Sequence, residues 1–353
     1  MPLSTALRTW FQANHRDLPW RRTRDPYRIW ISEIMLQQTT VNVVIPYYEA
    51  FLKGFPTVEI LAKAREEKVL SLWSGLGYYS RARNLQKAAK EIVKLKKFPQ
   101  TYAQLLELPG IGPYTAAAIA SFAFNESVAC VDGNVIRVIT RLFDIDEDIA
   151  TKSAKEKIAA HAQSLIEGQD PHDHNQAMME LGATICTPQN PTCLLCPISK
   201  FCASKQNGTQ LSRPVKTKNK KQEPWLWKLY VVEKEGRIAL VKNENGTPWL
   251  NHLWILPGEA APLEVQKSAI QPTHAFKHSI THHKIFVQVL KGSKKEITKL
   301  ESKGEHVKVK WIKPAEMKKL GVSSVIQKAV NVWNQASTSY QENHRADYLK
   351  RNN

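Results

Sequence analysis

From Pro2 to about Ala203, apolar residues recur three and four positions apart, Gly and Pro punctuate the runs, and strand-like alternation is scarce. This pattern predicts an all-helical domain over residues 1–203. The stretch 204–224, SKQNGTQLSRPVKTKNKKQEP, is polar and basic with almost no large apolar side chain, and predicts a linker. After it the period changes. Short alternating or apolar runs at 227–232, 237–241, 284–290 and 307–312 predict strands, with Val307, Val309 and Trp311 sharing one face. Val322, Val325, Ile326, Ala329, Val330 and Trp333 lie at helical spacing and predict a closing helix. The expected architecture is therefore multidomain, α followed by α+β: a helical domain, a linker, a sheet domain over 225–336, and a polar tail over 337–353 that frays.

A chain of 353 residues exceeds what one hydrophobic core usually serves, which agrees with two domains. Lys and Arg total 50 against 32 Asp and Glu, a formal charge of +18. A surplus of that size favours a polyanionic partner, nucleic acid first, through counterion release; solubility is the other reading. Residues 1–20 carry Arg8, His15, Arg16 and Asp17 among the apolar positions and so lack the core of a signal peptide. No window is long and apolar enough to span a bilayer, and the expectation is a cytoplasmic protein with no membrane partner.

Cys186, Cys193, Cys196 and Cys202 fall within 17 residues, while Cys130 stands alone in an apolar run. The spacing Cys-x6-Cys-x2-Cys-x5-Cys, broken by Pro188, Pro191 and Pro197, is that of metal ligands and not of a disulfide framework. Four thiolates suit either an iron-sulfur cluster or a tetrahedral zinc. Zinc sites more often use two Cys-x2-Cys knuckles, and only one close pair exists here. Lys200 and Lys205 flank the loop, where they could meet phosphate or simply be solvated.

Leu108-Pro-Gly-Ile-Gly-Pro-Tyr-Thr115 leads into the run AAAIASFAF. Gly110 and Gly112 allow a tight turn, and Pro113 suits the first turn of the next helix, so backbone N–H groups there could approach a DNA phosphate. An ordinary glycine turn between packed helices is the alternative. Two carboxylates stand alone in apolar surroundings. Glu33 lies in RIWISEIMLQQTT, where burial would raise its pKa and keep it protonated near neutral pH. Asp132 precedes GNVIRVITRLF and should sit at a helix N-terminus, where dipole and free N–H groups favour the ionised form. Two acids tuned in opposite directions suit glycosidic cleavage, one protonating the leaving group and the other stabilising an oxocarbenium ion. Taken singly, either acid could be a cap or half of a structural pair.

With these residues in hand, the chain resembles the adenine DNA glycosylase (MutY) family of the helix-hairpin-helix glycosylase superfamily. The resemblance runs over 18–202. It is carried by LPWR at 18–21, SEIMLQQTT at 32–40, WSGLGYYSRARNL at 73–85, LPGIGPYTAAAI at 108–119, VDGNVIRV at 131–138, NQAMMELGATIC at 175–186, and the cysteine loop. It implies a helix-hairpin-helix domain whose loop 186–202 holds a 4Fe-4S cluster on Cys186, Cys193, Cys196 and Cys202. It implies that Glu33 protonates adenine, that Asp132 stabilises the sugar cation, and that Tyr114 and Asn134 order the reacting centre. The base would be flipped from the duplex, with Gln38, Leu76 and Tyr78 wedged beside the opposing base and Gly110 and Gly112 on the backbone. The related endonuclease III branch uses a hairpin lysine as nucleophile, where this chain has Tyr114, and lacks the acid at Glu33. A monofunctional enzyme is the expectation, and Ile136 replaces a lysine that some relatives carry near the aspartate.

The C-terminal half resembles, more loosely, the Nudix-like α/β sandwich with which this family recognises 8-oxoguanine. The carriers are Leu253-Trp-Ile-Leu-Pro257 and AFKHSITHHKI at 275–285, which point to Thr281 and His282 as readers of the oxidised base. Ile280 stands where relatives carry an aromatic residue, and Asn251-His252 replaces small residues. The implied partner is double-stranded DNA with adenine opposite 8-oxoguanine or guanine, met by a monomer. A bifunctional pyrimidine glycosylase-lyase and a non-catalytic iron-sulfur DNA-binding protein are the rival readings. Glu33 with Tyr114 argues against the first, and retention of both carboxylates argues against the second.

Overall fold

In the computed structural model, which describes residues 2–217, 223–242, 248–263, 275–280, 282–301 and 308–335, the chain divides into two units. One comprises Met1–Lys63 and Asn84–Lys218, the other Ala64–Arg83 and Asn219–Asn353.

The described part of the first unit is essentially helical, and two of its helices begin where the sequence supplies a side-chain cap followed by proline. Asp25 accepts from the N–H groups of Tyr27 and Arg28 ahead of helix Pro26–Leu36, and Asp170 accepts from Asp173 ahead of helix Pro171–Thr184. Gly112 precedes helix Pro113–Phe124, which buries every residue from Thr115 to Phe122. Its small side chains let helices Pro26–Leu36, Tyr102–Leu106 and Pro171–Thr184 all pack against it. Helix Pro171–Thr184 also packs on helix Gly133–Leu142, where a β-carbon on Gly182 would stand 2.6 Å from that of Asn134. Leu7, Phe11, Val135, Ile139, Leu181 and Ile198 share one core. Truncating one such residue, Ile139 for instance, to Ala typically costs about 2–5 kcal/mol.

The expected linker is not free over its first half. Asp144 accepts from Ser204 Oγ at 3.0 Å, Asn207 Nδ2 at 2.9 Å and Thr209 Oγ1 at 2.6 Å, and pairs with Arg213 at 2.9 Å. The Ile149 N–H donates to the Val215 carbonyl at 3.1 Å. The polar residues that suggested solvent exposure are the ones that anchor the segment, because their acceptor lies some 60 residues away.

The second unit contains β1 (Glu223–Val231), β2 (Glu233–Lys234), β3 (Arg237–Lys242), β4 (Trp254–Ile255), β5 (Gly258–Pro262), β6 (Ala275–Ile280), β7 (His283–Lys291) and β8 (Val309–Ile312). One sheet has the order β5-β1-β7-β6, with β1 and β7 parallel (Trp227 beside Val287) and the other pairs antiparallel. In the other sheet β3 pairs antiparallel with β2, β4 and β8. Alternate residues point inward: Trp227, Leu229 and Val231 from β1, and Ile285, Val287 and Val289 from β7. They meet Ile238 and Leu240 of β3 and Val325, Ile326, Ala329 and Val330 of a helix over 324–335. β1, β3, β7, β8 and the closing helix lie where the apolar pattern put them, and β2, β4, β5 and β6 are strands that the pattern did not announce. Val309 and Trp311 share the expected face, packed on Val232, Ala239 and Ile297; Val307 and the tail over 337–353 lie outside the described residues.

Residues 64–83 depart from the sequence reading, which placed them in the helical domain. Helix Glu66–Trp73 buries Val69, Leu70 and Trp73, and Gly321, at φ 66°, approaches so closely that a β-carbon there would be 2.8 Å from the Leu70 carbonyl carbon. Lys310 pairs with Glu67 at 3.3 Å, and Arg83 donates to the Asn251 carbonyl at 2.9 Å. Periodicity shows that a face is buried and leaves open what buries it. Among the described residues no helix is long and apolar enough to cross a membrane.

Candidate active site

Glu33 projects from the middle of helix Pro26–Leu36 and is 3% exposed. It borders a cavity of about 510 Å³ whose lining also includes Trp20, Arg21, Tyr114, Asp132, Asn134 and Glu180. Tyr114, in the first turn of helix Pro113–Phe124, donates its hydroxyl to Glu33 Oε2 at 2.5 Å. Burial pushes the Glu33 carboxyl up to about 7, against the opposing pull of that hydroxyl and with the help of the nearby Asp132 charge. Such a group holds its proton near neutral pH and can give it to a base in the cavity.

Asp132 caps helix Gly133–Leu142, its Oδ1 accepting from the Val135 N–H at 2.7 Å and its Oδ2 from Asn134 Nδ2 at 2.9 Å. The expectation that the two acids shift in opposite directions is corrected: burial raises the Asp132 carboxyl too, outweighing the Val135 and Asn134 hydrogen bonds. Both acids have groups that oppose the rise, the Tyr114 hydroxyl and the Arg21 charge at Glu33 and the Val135 and Asn134 hydrogen bonds with the Arg137 charge at Asp132. Asn134 is held in turn by Arg137, whose guanidinium donates to Asn134 Oδ1 at 2.9 Å, the Gly182 carbonyl at 2.7 Å and the Cys186 carbonyl at 2.7 Å.

The sequence reading missed a second buried charge in the cavity wall. Glu180 has no exposed side-chain surface, and it accepts from the N–H and guanidinium of Arg16 and from Arg21 Nη2, with side-chain contacts of 2.8 Å. Burial alone would raise its pKa, but these two cations hold it down to about 2. The signal was present in MMELG, a lone acid in an apolar run like that around Glu33.

Residues 31–167 match the family described as HhH-GPD superfamily base excision DNA repair protein. The human adenine DNA glycosylase is 44% identical over 218 residues, covering 58% of this chain but 40% of that protein. The adenine DNA glycosylase of Buchnera aphidicola subsp. Baizongia pistaciae is 40% identical over 247 residues, covering 68% of this chain and 69% of the relative. The chain belongs to the adenine DNA glycosylase family. It spans well under half the length of the mammalian relatives it matches. A thermostable thymine-DNA glycosylase superimposes with a TM-score of 0.52 at 31% identity, over 58% of this chain and 95% of that one. An endonuclease III trapped on DNA gives 0.51 at 23% identity, over 59% and 95%, a likeness of fold.

In this member of the adenine DNA glycosylase family the hairpin lies between helices Tyr102–Leu106 and Pro113–Phe124. Gly110 has φ 77°, and a β-carbon there would stand 2.5 Å from that of Asn84, so both backbone and space require glycine. Gly112 is exposed with open space around it, and the helix after it has no side-chain cap, which leaves room for an anion at its first N–H groups.

The four cysteines of the loop line a second, smaller pocket together with Arg141 and Lys205. Arg141 is 2% exposed and knits the loop, donating to Cys186 Sγ at 3.3 Å and to the Thr187 and Pro188 carbonyls at 2.7 and 2.9 Å. The Cys202 thiol points to the Arg141 carbonyl at 3.3 Å. The donor trios that lie within 4.8 Å of one another among the described residues do not include these cysteines. A single zinc would draw its sulfurs to about 3.8 Å apart, given Zn–S bonds of about 2.3 Å. The looser cradle of thiols suits a larger inorganic core.

The expected wedge residues differ in setting. Gln38, at φ 56°, is exposed in the first unit; Tyr78, at φ 46°, is 44% exposed in the second. Leu76 is 6% exposed, which corrects its expected place as a solvent-facing wedge. His282 is exposed between β6 and β7, its ring 3.9 Å from that of His283, while Thr281 lies outside the described residues. His283 accepts from the Trp249 indole at 3.2 Å, and that loop carries two further left-handed residues, Leu250 and His252.

Proposed function

We propose that the protein hydrolyses the N-glycosidic bond of adenine mispaired with 8-oxoguanine or guanine in duplex DNA, as a monofunctional base-excision enzyme. The observation that carries this reading is Glu33: a buried acid with a raised pKa, held by Tyr114, in a cavity that also contains Asp132. A flipped adenine in that cavity takes the Glu33 proton at N7, which weakens the bond from N9 to the sugar. As that bond breaks, its electron pair leaves with adenine, and the Asp132 carboxylate stabilises the sugar cation until water adds to it, leaving an abasic site. The Arg21–Glu180 pair supplies a fixed polar wall beside the base. Tyr114 occupies the hairpin position where a lyase needs an amine nucleophile, so no covalent Schiff base forms there.

The thiols of Cys186, Cys193, Cys196 and Cys202 would hold a 4Fe-4S cluster, and the looseness of their cradle supports that group over zinc. When bound, such a cluster supplies a covalent staple for the loop 186–202. The sheet unit is read as Nudix-like, with Thr281 and His282 meeting the N7 hydrogen and extra carbonyl that distinguish oxidised guanine. The charge of +18 supports duplex DNA as the partner, engaged by a monomer in the cytoplasm at the nucleoid.

The test is a set of three duplexes, with adenine opposite 8-oxoguanine, adenine opposite guanine, or thymine glycol, followed by alkaline cleavage at abasic sites. Adenine release from the first two and none from the third is the expected result. Release of thymine glycol with a borohydride-trapped adduct would overturn the reading in favour of a glycosylase-lyase.

A further inference from the structure

The turn after helix Glu66–Trp73 combines unusual backbone with heavy restraint. Gly75 and Gly77 have φ of 108° and 70°, and Tyr78, an aromatic residue, is left-handed at 46°. Such conformations persist in bulky residues only where their surroundings over-determine them, and they gather at working sites. Here the surroundings are two clamps. From within the turn, Trp73 Nε1 donates to the Gly77 carbonyl at 3.1 Å, and Arg81 Nη2 donates to the Leu76 and Gly77 carbonyls at 3.1 and 3.3 Å. The Arg81 guanidinium lies 5.3 Å from the centre of the Trp73 ring and 5.6 Å from that of Tyr78. Burial pushes it down to about 10, still charged at neutral pH.

The second clamp comes from nearly 250 residues further along the chain. The Val322 carbonyl, fully buried, accepts from Ser74 Oγ at 2.7 Å, Gln327 Nε2 at 2.9 Å and Tyr79 OH at 3.5 Å, and Gln327 also donates to Ser74 Oγ at 3.1 Å. The result is an exposed aromatic ring on a turn tied down at Ser74, Leu76, Gly77 and Tyr79.

We propose that Arg81 and the Ser74–Gln327 pair are positioning residues that hold Tyr78 in the pose from which its ring enters the base stack, making the segment 321–327 a working part of duplex opening. This rests on the reading of the protein as a base-flipping glycosylase. A ring that enters a stack must displace bases, and a turn that relaxed under that load would spend the interaction on its own rearrangement. Two donations from one guanidinium to consecutive carbonyls, and a triply bonded Val322 carbonyl, oppose that relaxation.

The experiment uses the full chain and a duplex carrying 2-aminopurine next to the target adenine, opposite 8-oxoguanine. Stopped-flow fluorescence then reads unstacking and single-turnover cleavage reads release. Arg81→Met keeps the packed stem and removes the donors; Ser74→Ala with Gln327→Leu opens the distant clamp and stands in should Arg81→Met not fold. Both should slow unstacking about tenfold, the loss of one or two net hydrogen bonds, as should the control Tyr78→Ala. Release should stay within about twofold of wild type when the adenine faces an abasic site, where no opposing base needs displacing. Ser74→Thr, which keeps the hydroxyl, should restore the rate. Equal slowing on both duplexes, or normal unstacking in the clamp variants or in Tyr78→Ala, would overturn the proposal. A wild-type protein that releases no adenine would instead fail the underlying reading.

Discussion

The cavity around Glu33 and the turn carrying His282 handle polar groups in opposite ways. In the first, carboxylates on or at the ends of helices are buried or half-buried, and each is held by named donors: Tyr114 on Glu33, Val135 and Asn134 on Asp132, Arg16 and Arg21 on Glu180. In the second, His282 stands exposed on a turn between β6 and β7, beside a loop with left-handed Leu250 and His252. Burial gives the cavity its chemistry, because a proton held to neutral pH and an anion held off water both depend on a low local dielectric. Exposure suits the role proposed for the other region, since a side chain that meets a base arriving from solvent makes hydrogen bonds worth little until the partner is present. Substitutions should therefore cost chemistry and stability in the cavity, and only selectivity at the turn.

The largest effect expected is on chemistry. Glu33→Gln keeps shape and removes the acid, so single-turnover adenine release should fall by about 10²–10⁴-fold with duplex binding retained, as a gel-shift titration would show. A wild-type rate would remove Glu33 from the mechanism. Next is Glu180→Ala, which strands the largely buried Arg21, whereas the Arg16 side chain, 40% exposed, reaches water. Loss of one partner of such a pair costs about 3–5 kcal/mol, visible as an earlier midpoint in urea; an unchanged midpoint would mean the wall is soft.

A third prediction follows from the raised Glu33 pKa. A carboxyl whose folded pKa lies above its unfolded value contributes its stability in full below the unfolded pKa near 4.5. That contribution is lost as pH rises through about 7. Release should then decline above about pH 7. At pH 8 Glu33→Gln should be more stable than wild type by about 3 kcal/mol, the cost of holding the ionised carboxyl in a site that keeps its proton up to about pH 7. Identical melting curves for the two at pH 8 would contradict the burial argument. The smallest effect belongs to the turn. Thr281→Ala with His282→Ala should reduce the preference for adenine opposite 8-oxoguanine over guanine by about 1–3 kcal/mol while sparing release opposite guanine. Equal slowing on both duplexes would show that this turn does not read the lesion.

The same contrast governs what the amino-acid order made legible. Glu33 and Asp132 were legible from their apolar settings, since an acid among such residues has few reasons to be there, and Tyr114 and Asn134 only through the family resemblance; all four line one cavity. Glu180 satisfied the same criterion and was passed over. Its partners Arg16 and Arg21 lie about 160 residues away, and no local pattern joins them. The pKa direction of Asp132 failed for a related reason: a cap position announces its donors in the sequence, whereas the depth of burial that outweighs them is a property of the packed helices. Leu76 misled because exposure in a glycine-rich turn depends on the neighbours that fill it. The polar stretch 204–217 read as linker because composition cannot reveal the Asp144 waiting for it.

The bond from Ser74 to Val322, 248 positions apart, also sets a schedule for making the protein. Val69, Leu70 and Trp73 leave the ribosome early, but the Gly321–Val322 segment packed against their helix is translated last. At about 5–20 residues per second the interval is about 12–50 s. Over that time helix Glu66–Trp73 presents an apolar face without its cover, a surface on which a chaperone or a second nascent chain could act. A stop codon ahead of Gly321 would make that interval permanent, so the first thing lost from such a truncation would be solubility.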